Sequence, residues 1–209
     1  QLRADPGDRD RWVRCRAALL EARGEREQPG RDDKVVTAWN GLAIAALAEA
    51  GALCDEPRWL SAAVQCAQWL VDQHWEASTG DLARTSLGGT VSAEAPGVLE
   101  DYADLAEGLL ALYQVTGDQD WFVTAGRLVE VILERFGDGH GGFFDTSDAA
   151  PPLVRRPRDA SDGVTPSGAA ASAHVLLTLG ALTADPTHMR AADAALATLM
   201  PLAAAAPRF

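Results

Sequence analysis

A unit of two helices that occurs three times constrains the fold of this 209-residue chain more than any other feature. Thr37, Asp101 and Thr165 each stand directly before an Ala-rich apolar segment, and successive members of this set are 64 residues apart. Thr and Asp are favoured at helix N-caps because the side-chain oxygen accepts a hydrogen bond from a first-turn N–H group. The spacing therefore predicts that these three residues cap equivalent helices, with Pro166 in the first position of the third.

Each of the three apolar segments is followed by a break and by a second predicted helix. The breaks contain Asp55-Glu56-Pro57, Gly117-Asp118 and Asp185-Pro186. Glycine-rich loops follow the first two of these second helices, at residues 80–82 and 141–145. Each unit is therefore predicted to consist of a helix, a short turn, a second helix and a loop.

The two helices of a unit differ in polarity, and this difference indicates the layer that each occupies. The first helices, predicted at 39–53, 102–113 and 167–182, are apolar around most of their circumference, as enclosed inner helices are. The second helices, predicted at 58–74 and 120–135, carry a narrower apolar stripe that is typical of an outer layer. The segment 11–23 has the same character and is predicted to be an outer helix left over from an earlier unit.

Parallel inner helices joined to outer helices build either an α-solenoid or a closed α/α toroid. Common solenoid repeats are about 33 to 47 residues long, so the longer unit of this chain favours the toroid. We therefore predict an all-α fold, a single domain over residues 1–209 that forms part of an (α/α)6 toroid with three hairpins. The hairpins are predicted at 37–82, 101–145 and 165–200, after a leftover outer helix at 10–23.

Charge and cysteine content narrow the classes of function. A net charge of −12 and a pI near 4.6 argue against nucleic-acid and membrane partners, which bind clustered Lys and Arg. Cys15, Cys54 and Cys66 form no Cys-x-x-Cys pair, which predicts reduced thiols packed as small hydrophobes in a cytoplasmic protein. No apolar run is long enough for a membrane span, and no signal peptide opens the chain. Because the chain starts at Gln1 in a charged segment, we expect it to be part of a longer protein.

The starts of parallel inner helices share one rim, so the residues that precede them are predicted to converge. The carboxylates there are Asp32 and Asp33, next to Lys34, and the adjacent pair Glu100 and Asp101. Paired carboxylates in an aromatic-lined cleft are typical of glycoside chemistry, with one group as the acid and the other as the base or nucleophile. These four acids are the predicted catalytic residues. The alternative for Asp101, and for Asp162 near the third helix, is that the carboxylate caps a helix.

Further residues near the rim and in its loops are predicted to bind a substrate. They are Lys34, Trp39, Asn40, Tyr102, His140, Phe143, Asp162 and Ser167. Aromatic residues in this set could stack on sugar rings or simply belong to the core, and His140 could be a base or an exposed loop imidazole. No two histidines have the spacing of metal ligands, and no nucleotide-binding loop appears, so no metal and no cofactor is predicted.

Four motifs in the same order resemble the spermatogenesis-associated protein 20 family, whose bacterial members are called thioredoxin domain-containing proteins. The motifs are residues 31–35 with 39–42, residues 97–103, residues 141–145 and residues 162–168. The resemblance implies a parent protein with an N-terminal thioredoxin-like domain and a C-terminal α/α toroid similar to N-acylglucosamine 2-epimerases and six-hairpin glycosidases. Ala169 stands where relatives often carry Asn, which removes a polar group from the rim.

Two functions are compatible with these features. The first is an enzyme that acts on a carbohydrate by carboxylate acid/base chemistry, as a sugar isomerase, epimerase or glycosidase. The second is a non-catalytic module that binds a carbohydrate, a peptide or a client beside the thioredoxin-like domain of the parent chain, or that serves only as a scaffold. Carboxyl groups that face an open cleft favour the first function, and carboxyl groups bound to helix N–H groups or Arg partners count against it.

Overall fold

The computed structural model describes residues 6–92, 94–151 and 154–205. The chain divides into two compact units, one up to Asp33 and one from Lys34 onward. The first unit contains helix α1 (Pro6–Gly24), in which every described side chain is exposed. The helix itself was predicted, and its assignment to an outer layer stays a prediction.

The second unit contains the predicted hairpins. Its helices are α2 (Thr37–Leu53), α3 (Pro57–His74), α4 (Leu99–Thr116), α5 (Gln119–Val131), α6 (Gly168–Thr183) and α7 (Pro186–Ala205), with a π-helical turn at Ile132–Phe136. Helix α4 packs against α2 on one side and α6 on the other, and α3, α5 and α7 each pack on the inner helix that precedes them. This arrangement of inner and outer layers confirms the helical-hairpin fold.

The inner helices run in parallel with their starts level. The N–H group of Ala38, in the first turn of α2, lies 3.0 Å from the Asp101 carboxylate of α4. At the start of α6, Gly168 packs against Glu100. Further along, Gly41 of α2 meets Gly108 of α4 so closely that a Cβ on Gly108 would stand 2.7 Å from the Gly41 carbonyl oxygen. Two glycines therefore permit the close approach of α2 and α4.

The three predicted N-caps are wrong in position. Helix α2 already includes Thr37, with Val36 as its cap, and α4 begins at Leu99, so that Asp101 is its third residue. Ser167, rather than Thr165, caps α6, and Pro166 precedes the cap instead of following it. The three helices thus begin 62 and 69 residues apart, because the loops between hairpins differ in length and the 64-residue spacing did not account for this.

The turns between paired helices fall where they were predicted. Each passes through a residue with left-handed backbone geometry: Asp55 with φ 54°, Gly117 with φ 73° and Ala184 with φ 55°. Such a residue commonly ends a helix, because its positive φ turns the chain so that N–H groups beyond the helix bond to the last helical carbonyls. The second helix then begins two residues after each.

The glycine-rich loop of the first hairpin contains short strands that the all-helical prediction did not include. Strand β1 (Lys34–Val36) pairs with β4 (Thr85–Leu87), which pairs with β5 (Thr90–Val91), all antiparallel. Strands β2 (Trp75–Glu76) and β3 (Asp81–Leu82) form a separate antiparallel pair directly after α3. In the second hairpin the bridge between Gly137 and Phe143 follows the outer helix in the same way.

None of the described helices is both long and apolar enough to cross a bilayer. The prediction that all three thiols pack in the interior is wrong, since Cys15 and Cys54 are exposed and only Cys66 is half-buried. The burial of Cys66 raises its thiol pKa.

Candidate functional site

A cavity of about 510 Å³ lies at the starts of α4 and α6, and we call it the rim cavity. The charged side chains in its lining are Arg84, Glu100, Asp145 and Asp159, and the hydroxyl-bearing ones are Thr146, Ser161, Thr165 and Ser167. Glu100 comes from the first turn of α4, and Ser167 caps α6. Of the predicted site residues, the structure brings Glu100 and Ser167 together at this cavity.

Asp101 is buried at 0% exposure and binds the starts of two helices. One carboxylate oxygen accepts the N–H group of Ala38 in α2, at 3.0 Å, and the other accepts that of Val98, which caps its own helix, at 2.9 Å. Arg84 donates to the second oxygen at 3.1 Å. Burial raises the pKa of Asp101 to about 6 even though these donors favour its ionised form. Asp101 therefore binds helix N–H groups, as the capping alternative predicted. It caps the start of α2 as well as the start of its own helix, α4.

Glu100 differs from its neighbour because its side chain retains 29% exposure. It accepts a hydrogen bond from Arg84 at 2.8 Å and lines the rim cavity. Arg84 therefore bridges the two adjacent carboxylates, one buried and one open to the cavity. Such a bridge orients Glu100 without closing it off.

Asp145 and Asp159 supply the other carboxyl groups of the rim cavity. The Asp159 N–H group donates to Asp145 at 2.9 Å, and the Asp145 carbonyl accepts the N–H group of Leu99 at the start of α4. Burial raises the pKa of Asp145, and the charges of Asp159 and Glu100 raise it further. Asp145 is thus a half-buried acid that favours its protonated form more than an ordinary Asp does.

The motif before α6 has a structural role in the turn. The exposed Asp162 accepts the N–H group of Ser167 at 2.8 Å, and the Ser167 hydroxyl accepts that of Ala170 at 3.3 Å. The two side chains predicted to bind a substrate therefore both engage backbone N–H groups. The hydroxyl of Ser167 remains at the cavity wall, whereas Asp162 is not part of the lining.

A second and larger cavity of about 630 Å³ lies between the loop strands and α4, and we call it the hairpin cavity. Tyr102 lines it but is only 3% exposed. Its hydroxyl accepts the N–H group of Leu82 at 3.0 Å and donates to the Gly80 carbonyl at 3.1 Å. Its ring packs on Phe136 and edge-on against Trp75. The ring of Tyr102 is therefore not open for the predicted stacking on a sugar.

His74 forms a buried polar network beside the hairpin cavity. The Thr37 hydroxyl donates to the Ala83 carbonyl at 2.6 Å, so it accepts a hydrogen bond from His74 Nδ1, at 2.7 Å. His74 Nε2, at 2.9 Å from the Ser86 hydroxyl, then accepts. Burial lowers the pKa of His74, which favours this neutral form. Because Ser86 is 1% exposed, the network joins α2, α3 and β4 rather than presenting a nucleophile.

Asp104 is a buried acid of α4 with a carboxyl oxygen that accepts no hydrogen bond. It lies one turn after Glu100 in α4, is 1% exposed, and its Oδ1 has no hydrogen-bond partner. Burial raises its pKa to about 8, with smaller contributions from Glu107, Glu100 and Asp101. Ser172 of α6, also buried, has an unpartnered hydroxyl. Asp104 therefore holds a proton at neutral pH.

The remaining predicted residues are dispersed. Trp39 is 63% exposed in the first turn of α2, and Lys34 is exposed in β1. Asn40 donates to the Val36 carbonyl at 2.8 Å and lies 3.5 Å from Cys66 Sγ, so it secures the start of α2. None of these three lines the rim cavity or the hairpin cavity.

The loop after α5 is held by an acid that the sequence analysis did not select. Asp138 accepts the N–H groups of His140 and Gly142 and pairs with Arg158 at 2.6 Å. These partners lower the Asp138 pKa against the opposing effect of burial. His140 is exposed on this loop, and Phe143 is buried in the core. Neither is brought to the rim cavity.

Asp32 and Asp33 belong to the first unit, and both are exposed. Asp33 forms an ion pair with Arg31. Their catalytic role and their convergence with the second unit stay predictions.

The predicted catalytic and binding residues did not include three charged residues of the rim cavity, Arg84, Asp145 and Asp159. Asp145 stands at the end of the 141–145 motif, which was interpreted as a loop landmark and as one of the four family motifs, without a role for the Asp145 side chain. Arg84 follows the 80–82 landmark, and nothing in its local sequence indicates that it reaches two acids in the next helix. In the described parts of the chain no three His, Cys, Asp or Glu side chains converge as a metal site. The three carboxyls of the rim cavity therefore surround it without meeting at one point.

Solved structures with the same architecture are (α/α)6 toroid enzymes. Cellobiose 2-epimerase from Bacillus thermoamylovorans B4167 matches 80% of this chain and 45% of its own, with a TM-score of 0.66 and 13% identity. The α-1,6-mannanase of Salegentibacter sp. HEL1_6 matches 88% and 51%, with a TM-score of 0.63 and 13% identity. An unsaturated glucuronyl hydrolase specific for heparin matches 83% and 48%, with a TM-score of 0.64 and 20% identity. The second unit is therefore a toroid segment, and the matches span about half of each of these chains.

Sequence comparison identifies more specific relatives. Spermatogenesis-associated protein 20 of Rattus norvegicus is 37% identical over 179 residues, which are 82% of this chain and 23% of the relative. The Homo sapiens protein of the same name is 36% identical over the same extent. No family model matches the chain. The chain is thus a homologue of one segment of spermatogenesis-associated protein 20, as its motifs predicted, and it spans about a quarter of those relatives.

Proposed function

We propose that the second unit binds a carbohydrate in the rim cavity and acts on it by carboxylate acid/base chemistry. The observation that carries this proposal is the lining of the cavity, in which Glu100, Asp145 and Asp159 surround open space beside a single arginine. The activities of the structural neighbours, an epimerase and two glycan-cleaving enzymes, support carbohydrate as the ligand class.

The two central acids have different environments, as an acid and a base require. Asp145 is half-buried, and its raised pKa suits a general acid that protonates a leaving or ring oxygen. Glu100 is paired with Arg84 and is the anionic partner, as a general base or nucleophile. Asp101 is a positioning residue in this scheme, because it holds Arg84 from the buried side.

A turnover assay tests the proposal. The chain is incubated with a panel of neutral, amino-bearing and acidic oligosaccharides, and products are identified by mass spectrometry and by NMR of the anomeric protons. Glu100→Gln and Asp145→Asn are expected to lower turnover by about 100-fold or more, as the loss of a general acid or base does. Glu130→Gln and Asp120→Asn, both exposed on α5, are the matched controls and should retain wild-type rates. Undiminished turnover in both rim variants would contradict the assignment.

The second candidate is a non-catalytic module that binds a carbohydrate, a peptide or a client beside a thioredoxin-like domain of the parent chain. The observation that favours it is the engagement of Asp101, Asp162 and Ser167 by backbone N–H groups, which leaves fewer groups for chemistry. Binding of an oligosaccharide with no product, abolished by Glu100→Gln, would support this candidate against the enzyme.

A further inference from the structure

The charges around the rim cavity restrict the kind of sugar that it accepts. Among the residues that the structure describes, three carboxyl groups line it, from Glu100, Asp145 and Asp159, and Arg84 is the one basic side chain in the lining. The chain as a whole has a net charge of −12, which disfavours the approach of an anion. Of the arginines that flank Pro157 in the lining, Arg158 pairs with Asp138, and Arg156 donates to the carbonyls of Arg135 and Thr146. Whatever enters this cavity meets an excess of negative charge.

Arg84 is already engaged on both sides. One terminal nitrogen donates to Glu100 at 2.8 Å, and the other donates to Asp101 at 3.1 Å. A phosphate or carboxylate ligand is usually held by a guanidinium that can offer two parallel donors. Arg84 would have to abandon the buried Asp101 to do so, which would leave that carboxylate without its cation.

The helix starts at the rim replace the missing cation only in part. First-turn N–H groups bind anions when they are open, but here protein acceptors bind six of the N–H groups at these starts, those of Thr37, Ala38, Val98, Leu99, Ser167 and Ala170. The acceptors include the Asp101 and Asp162 carboxylates, so the rim adds negative charge where a helix start alone would add positive charge.

We propose that the rim cavity selects sugars that carry an ammonium group and rejects sugars that carry a carboxylate or phosphate. This inference rests on the proposed function, because it names the substrate class of the same cavity. Asp159 is the exposed acid of the lining and the first contact for a cation, while Glu100 and Asp145 are half-buried. The Glu100 carboxylate and the carbonyl oxygen of a protonated Asp145 can both accept hydrogen bonds from an ammonium group. Ring hydroxyls would bond to the Ser161 and Ser167 side chains and to the carboxylates.

Calorimetric titration of the chain with matched ligands tests the inference at pH 6.5 and low salt. The glucosamine trimer carries ammonium groups, the N-acetylglucosamine trimer has the same backbone without them, and an oligoglucuronate carries carboxylates. The glucosamine trimer is expected to bind at least 10-fold more tightly than the N-acetylated trimer, and the oligoglucuronate at least 10-fold more weakly than either. Putrescine, with ammonium groups and no sugar ring, is expected to bind at least 10-fold more weakly than the glucosamine trimer.

Variants assign the selectivity to the cavity. Asp159→Asn should reduce the preference for the glucosamine trimer over its N-acetylated form several-fold, while the affinity for the neutral trimer changes little. Asp120→Asn removes one charge of the same sign on α5 and should leave the preference unchanged. A preference that survives Asp159→Asn in full would overturn the assignment to this cavity.

The outcomes separate this inference from the function beneath it. Equal affinity for the three sugars, or tighter binding of the oligoglucuronate, would overturn the charge selection while leaving a carbohydrate site. Equal affinity for putrescine and the glucosamine trimer would overturn the requirement for a sugar. Absence of binding by every sugar would overturn the proposed function itself.

Discussion

The hairpin cavity and the rim cavity differ in how far their polar groups are already bonded within the protein. The hairpin cavity is the larger, at about 630 Å³ against about 510 Å³. Its Tyr102 hydroxyl, its His74 imidazole and its Arg135 guanidinium all bond to neighbouring backbone or side chains. In the rim cavity, Glu100, Asp145 and Asp159 each accept a hydrogen bond from the protein and still border open space.

This difference shows that the volume of a cavity and its chemical capacity are separate properties. Polar groups that bond to protein hold the loop strands against the helices, and a ligand would have to break those bonds to use them. Variants in the two regions should therefore separate stability from binding. Substitution of engaged groups should cost stability, and substitution of rim groups should affect the ligand.

The largest loss of stability is expected for Asp101→Asn. Asn has one acceptor oxygen where Asp has two. Its amide nitrogen would therefore face the Ala38 N–H group in one orientation, and the Val98 N–H group together with Arg84 in the other. Breaking a buried charged pair of this kind costs about 3 to 5 kcal/mol, measured as the free energy of unfolding in urea. Asp120→Asn is the control and should change stability by less than about 0.5 kcal/mol. A loss below about 1 kcal/mol would show that Asp101 is not an essential link between α2 and α4.

Asp104→Asn should have an effect that depends on pH. The folded state holds the Asp104 proton up to about pH 8, while the unfolded chain releases it near the ordinary value of 3.8. The contribution of Asp104 to wild-type stability is therefore fully present below pH 3.8 and is lost as the pH rises towards 8. The groups that face Asp104 with charge are Glu100, Asp101 and Glu107 on its own helix, and His174 of α6 lies beside Glu107.

The measurement is urea unfolding of both proteins at several pH values from 4 to 8. The stability of Asp104→Asn relative to wild type should rise by about 2 to 4 kcal/mol across this range. Asp193→Asn, exposed on α7, should show no such trend. If the free energy of unfolding depended on pH in the same way for wild type and Asp104→Asn, Asp104 would be ionised in the folded protein over this range, as it is in the unfolded chain.

Tyr102→Phe should cost an intermediate amount. The substitution keeps the ring but removes the hydroxyl, so the Leu82 N–H group and the Gly80 carbonyl both lose a partner in a buried site. We expect a loss of about 1 to 3 kcal/mol. Tyr113→Phe on the same helix provides the comparison, since the Tyr113 hydroxyl has no hydrogen bond among the described residues and should contribute little. Similar losses for both variants would contradict the role given to the Tyr102 hydroxyl.

The smallest effect on stability is expected for Glu100→Gln. Its pair with Arg84 is partly exposed, and such pairs contribute less than about 1 kcal/mol. Sugar binding should nevertheless weaken by 10-fold or more, because Glu100 lines the rim cavity. Thermal unfolding and calorimetric titration of the same preparation separate the two quantities. If Glu100→Gln lost stability yet bound the sugar normally, the Glu100 side chain would support the fold rather than the ligand.

The sequence allowed the hairpins to be predicted but not the exact starts of their inner helices. The breaks at Asp55, Gly117 and Asp185 were recognisable because turn chemistry depends on a few adjacent residues. The starts were displaced because capping oxygens can come from another helix, as Asp101 does for α2. The loop strands were missed for a similar reason, since strands of two or three residues carry too little periodicity to be detected.

The candidate site could be predicted only in part. Glu100 stands next to a recognisable helix start and lines the rim cavity, and its catalytic role stays a prediction. Tyr102 and Phe143 belong to the same motifs yet are buried, since motif membership does not specify which side of a helix or loop faces inward. Arg84 reaches Glu100 and Asp101 from a separate loop, and that distance in sequence is crossed only by folding.

The sequence by itself determined the helical repeat, the division into inner and outer layers and the relation to spermatogenesis-associated protein 20, because each depends on local pattern and motif order. The tertiary structure alone decided which acids are available for chemistry. Glu100 and Asp101 are neighbours with the same charge, but helix geometry turns one into the interior, where N–H groups and Arg84 bind it, and the other towards the rim cavity.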